Sequence, residues 1–435
     1  MKKPHILVLG AGFAGIEFCK RIDGERFDVT LVDRQNHHLF QPLLYQVASS
    51  GLAVPEIAQP IRTILSGKKG LQILMDEAVG IDLRAKKVEL RRQTIQYDYL
   101  LLAFGAVTGY FGNNQWARHA PGLKTVKDAT RIRQSILYAY EQAETCEDDL
   151  EQRRLLTTVV IGGGPTGVEL AGAFAELARH SLARDFSNVD PERSKVILIE
   201  AGDRVLGHMD KRMSEAALRQ LRALGVDVRL NTRVENIDEG VVEIEGERIE
   251  AANILWGAGV EAHPLTRTLG VELSRGGKIL VESDLSVPGF DEVFALGDIV
   301  DLVDAKGVRV PGVSPAAMQM AKHVASCFNG GCFEKTPAER KAFTYWDKGT
   351  MATIGRSKAV AEVKSFRMRG FIAWLAWLFV HLVFLIGFRN KVVVLFQWAY
   401  SYLTYRKGAR IIHSAEDLDN PSVSKENDPL PRVGE

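Results

Sequence analysis

The segment His5-Ile-Leu-Val-Leu-Gly10-Ala-Gly12-Phe-Ala-Gly15 decides the fold of the N-terminal part of the chain. Its apolar run predicts a buried strand, and glycines at fixed spacing then lead into a helical pattern. Gly10 permits a tight turn, Gly12 lets the backbone approach a phosphate group, and Gly15 allows the helix to pack closely on the strand. Amides at the helix N-terminus then face the phosphate charge. The segment predicts the first turn of a dinucleotide-binding βαβ unit.

The next apolar run supports this interpretation over an accidental glycine turn. A second strand, Asp28 to Val32, ends in Asp33. An acid at this place binds an adenosine ribose hydroxyl in dinucleotide-binding units. Strand, glycine turn, helix and acid therefore occur in the order that the chemistry requires.

The same arrangement occurs a second time. A strand from Thr157 to Ile161 precedes Gly162-Gly-Gly164-Pro-Thr-Gly167, and a later strand, Val196 to Ile199, ends in Glu200. Residues 179–195 read as an insertion before that strand. Glu200 would repel a 2′-phosphate and favours NADH over NADPH, although Arg204 nearby leaves the alternative open. Two such units indicate two dinucleotides, one held permanently and one exchanging, as in hydride transfer from a nicotinamide to a flavin.

Composition narrows the class of protein. The 435 residues allow two or three domains, and a formal net charge of +1 gives no reason to expect a nucleic-acid partner. The spacings of the four cysteines make neither a Cys-x-x-Cys pair nor a disulfide framework. We therefore expect ordinary thiols in a reducing cytosolic setting, with a redox-active Cys327/Cys332 pair as the alternative.

At this point the sequence closely resembles the type II NADH dehydrogenases, also called alternative NADH:quinone oxidoreductases. The resemblance extends from Ile6 to about Arg410. The segments that carry it are Gly10-Ala-Gly-Phe-Ala-Gly15, Asn36-His-His-Leu-Phe-Gln-Pro-Leu-Leu-Tyr45, Gly162-Gly-Gly-Pro-Thr-Gly-Val-Glu-Leu-Ala-Gly172 and Ala295-Leu-Gly-Asp-Ile299.

The resemblance implies an α/β fold with two Rossmann-like dinucleotide-binding domains, the NADH domain being inserted into the FAD domain. A C-terminal amphipathic, membrane-anchoring helical region follows. The expected boundaries are 1–155 and 279–330 for the FAD-binding domain, 156–278 for the NADH-binding domain, 331–367 for an interface segment, 368–410 for the membrane-anchoring helices and 411–435 for a polar tail.

Site residues follow from the resemblance, position by position, and they include no metal ligand. Those expected to hold FAD without a covalent bond are Gly10, Gly12, Gly15, Asp33, Arg34, His38, Gln41, Gly105, Gly297 and Asp298, with Phe40 beside the flavin. Those expected to hold NADH are Gly162, Gly164, Gly167, Glu169, Glu200, Gly257, Ala258 and Gly259. The alternatives are a helix N-cap for Asp298 and a plain first-turn acid for Glu169.

The expected catalytic residues are Glu169, Gln319 and Lys348. Glu169 would orient the nicotinamide against the flavin. Many relatives carry Ala-Gln-x-Ala-x-Gln where this chain has Ser314-Pro-Ala-Ala-Met-Gln319, so Pro315 replaces the first glutamine and Gln319 retains the second. Gln319 is interpreted as a quinone ligand, and its alternative is a satisfied polar residue at a helix start. Lys348 resembles a family position near the flavin.

The C-terminal region predicts contact with a membrane. The stretch Phe371 to Phe388 has His381 as its only ionisable residue, and basic residues flank it. A second aromatic-rich stretch runs from Val392 to Tyr405. A buried core helix, a single spanning helix and two helices lying in the membrane surface all fit this pattern. The resemblance favours the last, with peripheral attachment on the cytoplasmic face, and it also implies a homodimer.

Together these features predict a non-proton-pumping enzyme that transfers hydride from NADH to FAD and then two electrons to a membrane quinone. A sulfide:quinone oxidoreductase is the nearest alternative, but it needs two cysteines converging on the flavin. A soluble disulfide reductase would need Cys-x₄-Cys beside the first helix. A flavin-bound membrane scaffold or sensor without turnover is the alternative from another class of protein.

Overall fold

The computed structural model describes residues 2–182, 185–190, 193–404 and 408–412. The strands before residue 155 are β1 (His5–Leu9), β2 (Asp28–Asp33), β3 (His37–Leu39), β4 (Ala58–Pro60), β5 (Leu71–Met75), β6 (Ala78–Asp82), β7 (Lys87–Leu90), β8 (Thr94–Gln96), β9 (Tyr99–Leu102) and β10 (Ala106–Thr108). The helices in the same part are α1 (Phe13–Arg21), α2 (Leu44–Ala48), α3 (Val54–Ile57), α4 (Ile61–Ile64), α5 (Val126–Thr145) and α6 (Asp149–Leu155).

The second fingerprint opens the next group of elements. Its strands are β11 (Thr157–Ile161), β12 (Lys195–Ile199), β13 (Asp227–Arg229), β14 (Val234–Asp238), β15 (Val241–Ile244), β16 (Glu247–Glu250), β17 (Asn253–Trp256) and β18 (Val260–Ala262). Its helices are α7 (Pro165–Glu176) and α8 (Lys211–Ala223), and a π-helix, Leu177–Leu182, continues α7 into the predicted insertion.

The remaining elements return to the first sheet and then form a separate C-terminal layer. The strands are β19 (Ile279–Leu280), β20 (Ser286–Val287), β21 (Phe290–Ala295), β22 (Val300–Asp301), β23 (Thr350–Gly355), β24 (Lys358–Val363) and β25 (Phe366–Arg369). The helices are α9 (Ser314–Asn329), α10 (Phe371–Phe384) and α11 (Phe388–Thr404).

The first sheet has the strand order β20-β21-β9-β1-β2-β5. Strands β1, β2, β5 and β9 pair in parallel, and β21 pairs in parallel with β9 although nearly two hundred residues separate them in sequence. Parallel strands buried on both faces read as continuous apolar runs, as β1 does. The chain therefore leaves this sheet, builds a second one and returns, which is the inserted arrangement expected from the sequence.

The second sheet repeats the parallel design with the order β13-β12-β11-β17. All five residues of β11 are buried. Helix α7 leaves this sheet and packs directly on the C-terminal antiparallel sheet β23-β24-β25. A Cβ atom at Gly172 of α7 would overlap the carbonyl oxygen of Ile354 in β23, so only glycine allows this approach. The second domain and the C-terminal layer are thereby held together beside the fingerprint helix.

The two C-terminal apolar stretches form two helices, but the break between them comes earlier than the expected one after Phe388. Helix α10 ends at Phe384, and Gly387 has a φ of +88° before α11 begins at Phe388. Gly387 lies against the side-chain amide of Gln59 in β4, and its positive φ is the reason that glycine is favoured at this turn. Among the described residues, no helix combines the length and apolarity needed to cross a membrane. Residues 413–435 of the expected polar tail lie outside the described residues.

The expectation of ordinary thiols at Cys327 and Cys332 is also wrong, because the structure joins them in a disulfide with a Cα–Cα distance of 5.1 Å. Helix α9 ends between them, and Gly331, with a φ of +79°, turns the chain back toward the last helical turn. The adjacent Asn329 side chain donates to the Arg21 carbonyl oxygen at 2.9 Å. The disulfide therefore lies at the C-terminal end of α1, away from the glycine turn that begins that helix.

Candidate functional site

The glycine turn between β1 and α1 has the geometry of a phosphate-binding turn. Gly10 has a φ of +103°, and a Cβ atom there would lie 2.5 Å from the Ala103 carbonyl oxygen. A Cβ atom at Gly15 would overlap the Gly10 carbonyl oxygen, whereas one at Gly12 would meet nothing closer than 4.0 Å. The protein itself therefore needs glycine at Gly10 and Gly15, and only an approaching ligand needs it at Gly12.

Asp33 forms part of this turn. One carboxylate oxygen accepts from the Ala11 amide at 2.6 Å, and the other accepts from the Gln35 amide at 2.7 Å. Burial raises the pKa of Asp33, and the two backbone hydrogen bonds oppose that shift. The carboxylate thus orients the turn from the end of β2.

His38 shows that a further partner fits beside this turn. Its ring is buried, and Nδ1 lies 3.0 Å from the Ala11 carbonyl oxygen. Nε2 is buried and has no hydrogen-bond partner among the described residues. Burial lowers the pKa of His38 to about 4, so the ring is neutral at pH 7. Because buried polar atoms are almost always paired, the free nitrogen fits a bound polar group, and the first turn fits a dinucleotide cofactor.

The other residues expected around FAD lie at loop ends near the same sheet edge. Gly105 follows β9 with a φ of +69°, and Gly297 follows β21 with a φ of +79°. The Gly297 amide donates to the Met320 sulfur at 3.2 Å. The Gln41 side-chain amide donates to the Lys124 carbonyl oxygen at 3.1 Å. Arg34 is exposed at the end of β2, and its charge lowers the pKa of His263 in addition to the larger effect of burial.

The second turn has the same construction. Gly162 has a φ of +106°, and a Cβ atom there would overlap the backbone of Ala258 in the loop Gly257-Ala258-Gly259. A Cβ atom at Gly164 would meet nothing within 4 Å. Glu200 accepts from the Gly163 amide and, at 2.7 Å, from the Gly202 amide. Glu200 therefore occupies the place in this turn that Asp33 occupies in the first.

A cavity of about 550 Å³ lies between the second glycine turn and loop segments of the first unit, and we call it the junction cavity. Its lining combines residues from both units with a loop lysine: Gln41, Leu44, Tyr45, Thr108, Leu123, Lys124, Thr166, Glu169, Trp256, Gly257, Gly259 and Val260. A second cavity of about 840 Å³ lies beneath the hairpin of α10 and α11, and we call it the hairpin cavity. Tyr45 and Glu169 line both cavities.

Glu169 is the carboxylic acid at this shared wall. It lies in the second turn of α7, is half-buried, and accepts a hydrogen bond from the Thr353 backbone amide in β23. Burial raises its pKa to about 8, and the hydrogen bond from Thr353 opposes the shift. At pH 7 the carboxyl group is therefore mostly protonated and can both donate and accept a hydrogen bond.

Two comparisons with known proteins bear on this arrangement. A family model described as pyridine nucleotide-disulphide oxidoreductase matches residues 4–321, and one described as the NDH2 C-terminal domain matches residues 347–407. The type II NADH:quinone oxidoreductase Ndh of Mycobacterium tuberculosis is 41% identical over 94% of this chain and 90% of its own. Its paralogue NdhA is 40% identical over 95% and 90%. The chain belongs to the type II NADH:quinone oxidoreductases.

Solved structures agree on the fold of this family. NDH2 from Plasmodium falciparum, in complex with NADH, superposes with a TM-score of 0.86 over 95% of this chain and 100% of its own, at 20% identity. The sulfide:quinone oxidoreductase of Aquifex aeolicus superposes with a TM-score of 0.68 over 98% and 96%, at 15% identity. At such identities the likeness shows the fold alone. Whether this chain could carry out sulfide chemistry therefore has to be decided from the positions of its own cysteines.

The cysteines of this type II dehydrogenase are not arranged for sulfide or disulfide chemistry at the junction. Cys327 and Cys332 are paired at the far end of α9, and Cys19 is buried in α1. Burial raises the pKa of the Cys19 thiol to about 12, which keeps it unreactive. Cys146 follows the last residue of α5. Among the described residues, no cysteine lines the junction or hairpin cavity.

The structure places Gln319 and Lys348 in contacts that the sequence did not predict, and neither residue lines the junction or hairpin cavity. The Gln319 side chain donates to the Trp346 carbonyl oxygen at 3.0 Å and accepts from the Trp346 amide at 2.9 Å. The Lys348 ammonium lies 4.9 Å from the ring centroid of Phe384 and 5.7 Å from that of Trp346. Each amide atom of Gln319 keeps a second hydrogen-bonding position. A quinone contact by Gln319 therefore stays a prediction.

Lys124 is a site residue that sequence reasoning missed. It lines the junction cavity immediately before Thr125, the N-cap of α5, whose capping box with Asp128 also holds the Lys124 amide at 3.1 Å. Burial lowers the pKa of Lys124, and the charge of Asp298 opposes the shift. A lone lysine in a loop carries no sequence signal, although the Thr-x-x-Asp capping box that positions it does.

Proposed function

We propose that this chain oxidises NADH and passes its electrons through FAD to a membrane quinone without pumping protons, with the nicotinamide bound in the junction cavity. The observation that carries this assignment is the shared lining of that cavity by Tyr45 of the first unit and by Thr166 and Glu169 of α7, since hydride transfer requires the two cofactors to meet there. FAD, when bound, supplies the two-electron chemistry, and the protein supplies position and electrostatics.

We infer the domain division from the strand orders. The FAD-binding domain is assigned to 1–155 and 279–330 because β1, β2, β9 and β21 share one sheet. The NADH-binding domain is assigned to 156–278 because β11, β12, β13 and β17 share another. Residues 331–367 include β23 and β24, which support α7, and 368–410 include the α10–α11 hairpin.

Individual residues acquire roles on this proposal. Asp33 and Glu200 hold the two glycine turns in shape for the pyrophosphates. The neutral His38 offers its free Nε2 to FAD, and Lys124, facing Asp298, places a positive charge beside the junction. The protonated Glu169 offers both hydrogen-bonding functions to the nicotinamide amide, and at the wall shared by the two cavities its carboxyl group holds a proton of the kind that reduction of a quinone to a quinol requires. Gln319 holds the Trp346 backbone, and through it the segment bearing Lys348, at the acceptor side.

The test of this function uses purified protein in detergent. We expect FAD to copurify, NADH to bleach the flavin absorbance in the absence of oxygen, and a soluble short-chain quinone to restore it. NADPH should react more slowly because Glu200 opposes a 2′-phosphate. Sulfide should fail as a donor. A flavin that NADH does not bleach would refute the proposal.

The hairpin of α10 and α11 supports peripheral attachment to a membrane. Large apolar side chains on both helices are exposed: Phe371, Ile372, Leu375, Phe379, Val383, Phe384, Leu395, Phe396 and Tyr400. Such a face next to basic residues fits the interfacial region of a bilayer. We propose that this face lies in the membrane surface on the cytoplasmic side. The homodimer expected from the family resemblance stays a prediction.

Replacing Phe379 and Phe396 together by glutamate should release the protein from phospholipid vesicles. Both rings are 69% exposed. Burying a phenylalanine side chain contributes about 1.5–3 kcal/mol, so we expect vesicle binding to weaken at least about 100-fold. Cosedimentation with vesicles measures the effect. Leu150→Glu, at a residue 74% exposed on α6, is the control that should bind as the wild type does. Equal sedimentation of the double variant and the wild type would assign this face to another partner.

A further inference from the structure

The loop between β10 and the 3₁₀ helix Asn114–Arg118 holds an aromatic side chain in an unusual state. Phe111 is 75% exposed and has a φ of +53°, a left-handed conformation that is rare for bulky residues. Gly109 and Gly112 flank it closely in sequence, and Gly112 has a φ of +94°. An exposed ring in a strained conformation gains little for folding, so its place in the loop calls for another explanation.

The loop is firmly attached to the strand end that lines the junction cavity. The indole N–H of Trp256 donates to the Gly109 carbonyl oxygen at 2.9 Å, and the Gly109 amide donates to the Gly259 carbonyl oxygen at 3.2 Å. The Tyr110 hydroxyl donates to the Ala120 carbonyl oxygen at 2.9 Å. Phe111 is therefore held in position and does not merely project from a loose loop.

The ring of Phe111 lies beside residues that line the junction cavity, just outside that lining. Its Cζ atom would be 2.9 Å from a Cβ atom at Gly259, and its centroid is 6.1 Å from that of Trp256. Trp256, Gly259 and Val260 all line the cavity, and Val260 is itself 57% exposed. Phe111 and Val260 thus form an apolar edge to a cavity whose inner wall carries Glu169 and Lys124.

We propose that Phe111 is a binding residue for the reduced dinucleotide, with its ring covering the nicotinamide riboside half when that half enters the junction cavity. The inference rests on the proposed function for the identity of the ligand. A planar ring at the rim covers a flat heterocycle and its ribose without adding charge, and it excludes water from the cavity. Burial of the exposed ring on binding then offsets the cost of its strained backbone.

The experiment compares Phe111→Ala, Phe111→Tyr and Phe111→Gly in the FAD-containing protein. For the alanine variant we expect the KM for NADH and the Kd for NAD⁺, measured by calorimetry, to rise about five- to tenfold. The kcat with a soluble quinone at saturating NADH should change less than twofold. Phe111→Tyr should retain the wild-type values. Phe366→Ala, at a ring 73% exposed on β25, is the matched control and should leave KM and Kd unchanged.

The glycine variant separates binding from folding. Because glycine adopts positive φ without strain, Phe111→Gly should have a Tm equal to or above that of the wild type while binding NAD⁺ as weakly as the alanine variant. Unchanged KM and Kd in the alanine variant would overturn the inference, as would weak binding accompanied by a lower Tm in both variants. A wild-type protein that binds NAD⁺ but fails to reduce quinone would instead contradict the proposed function.

Discussion

Replacing Glu169 by glutamine is expected to lower NADH:quinone turnover roughly 100-fold, with a much smaller change in the KM for NADH. Glutamine keeps the shape of the side chain and a hydrogen-bond donor, but it cannot exchange a proton. Positioned acid–base groups contribute roughly 10²–10⁴-fold to a rate, and the shared wall of the junction and hairpin cavities is where such a group would act. Steady-state rates with a soluble quinone measure the effect.

The pH dependence of kcat and of Tm gives an independent test of the role of Glu169. With a pKa of about 8, the protonated fraction falls as the pH rises through 8, so wild-type kcat should fall there and the Glu169→Gln rate should not. The folding stability also depends on protonation of Glu169. Because the pKa in the folded protein lies above the ordinary value of 4.5, the stabilisation is complete below pH 4.5 and is lost as the pH rises to about 8. The Tm of Glu169→Gln should therefore exceed that of the wild type at pH 9 and match it near pH 4.5.

Glu176→Gln is the matched control for Glu169→Gln. Glu176 lies on the same face of α7 two turns later and lines the hairpin cavity but not the junction cavity, and its carboxylate accepts from the Arg356 amide. We expect its turnover to fall far less than that of Glu169→Gln. Equal losses in the two variants, or a Glu169→Gln rate within twofold of the wild type, would remove Glu169 from the reaction.

The second large effect is expected from adding a single methyl group to each glycine turn, in the variants Gly12→Ala and Gly164→Ala, which should impair the two dinucleotide sites one at a time. Gly12 and Gly164 have ordinary φ values of −69° and −71°, and an added Cβ atom meets nothing closer than 4.0 Å at either. Alanine at these positions should therefore fold normally and obstruct only an approaching phosphate. We expect Gly12→Ala to copurify with less than about a tenth of the wild-type FAD. Gly164→Ala should keep its FAD but show a KM for NADH at least about tenfold higher.

Flavin absorbance per protein and NADH titration measure these outcomes. Gly10→Ala is the structural contrast: its φ of +103° and a Cβ atom 2.5 Å from the Ala103 carbonyl oxygen should prevent folding rather than weaken binding. Loss of FAD from Gly164→Ala, with retention in Gly12→Ala, would reverse the assignment of the two domains. Wild-type FAD content and KM in both variants would exclude close phosphate approach at either turn.

Parts of the site could be predicted because their causes are local in sequence. The turns at Gly10 and Gly162 follow from steric limits on the backbone, and the acids Asp33 and Glu200 end strands that are recognisable by their apolar runs. The end of α10 could not be placed from its apolar residues, because apolar residues continue through Leu385 and Ile386 up to Gly387, whose left-handed conformation and contact with the distant Gln59 appear only in the folded chain. Nor could the Cys327–Cys332 pairing, which depends on how Gly331 turns the chain after α9.

The sequence by itself determined that this chain has two glycine-turn dinucleotide units, each with an acid at the end of its second strand, and an apolar C-terminal region. Each of these features follows from spacing and periodicity over short stretches of sequence. Only the tertiary structure decided that Glu169, Tyr45 and Lys124 meet in one cavity, and that Thr353 lies against Glu169. The raised pKa of Glu169 arises from desolvation by elements far apart in the chain. No local pattern encodes it, because it exists only once those elements are packed together.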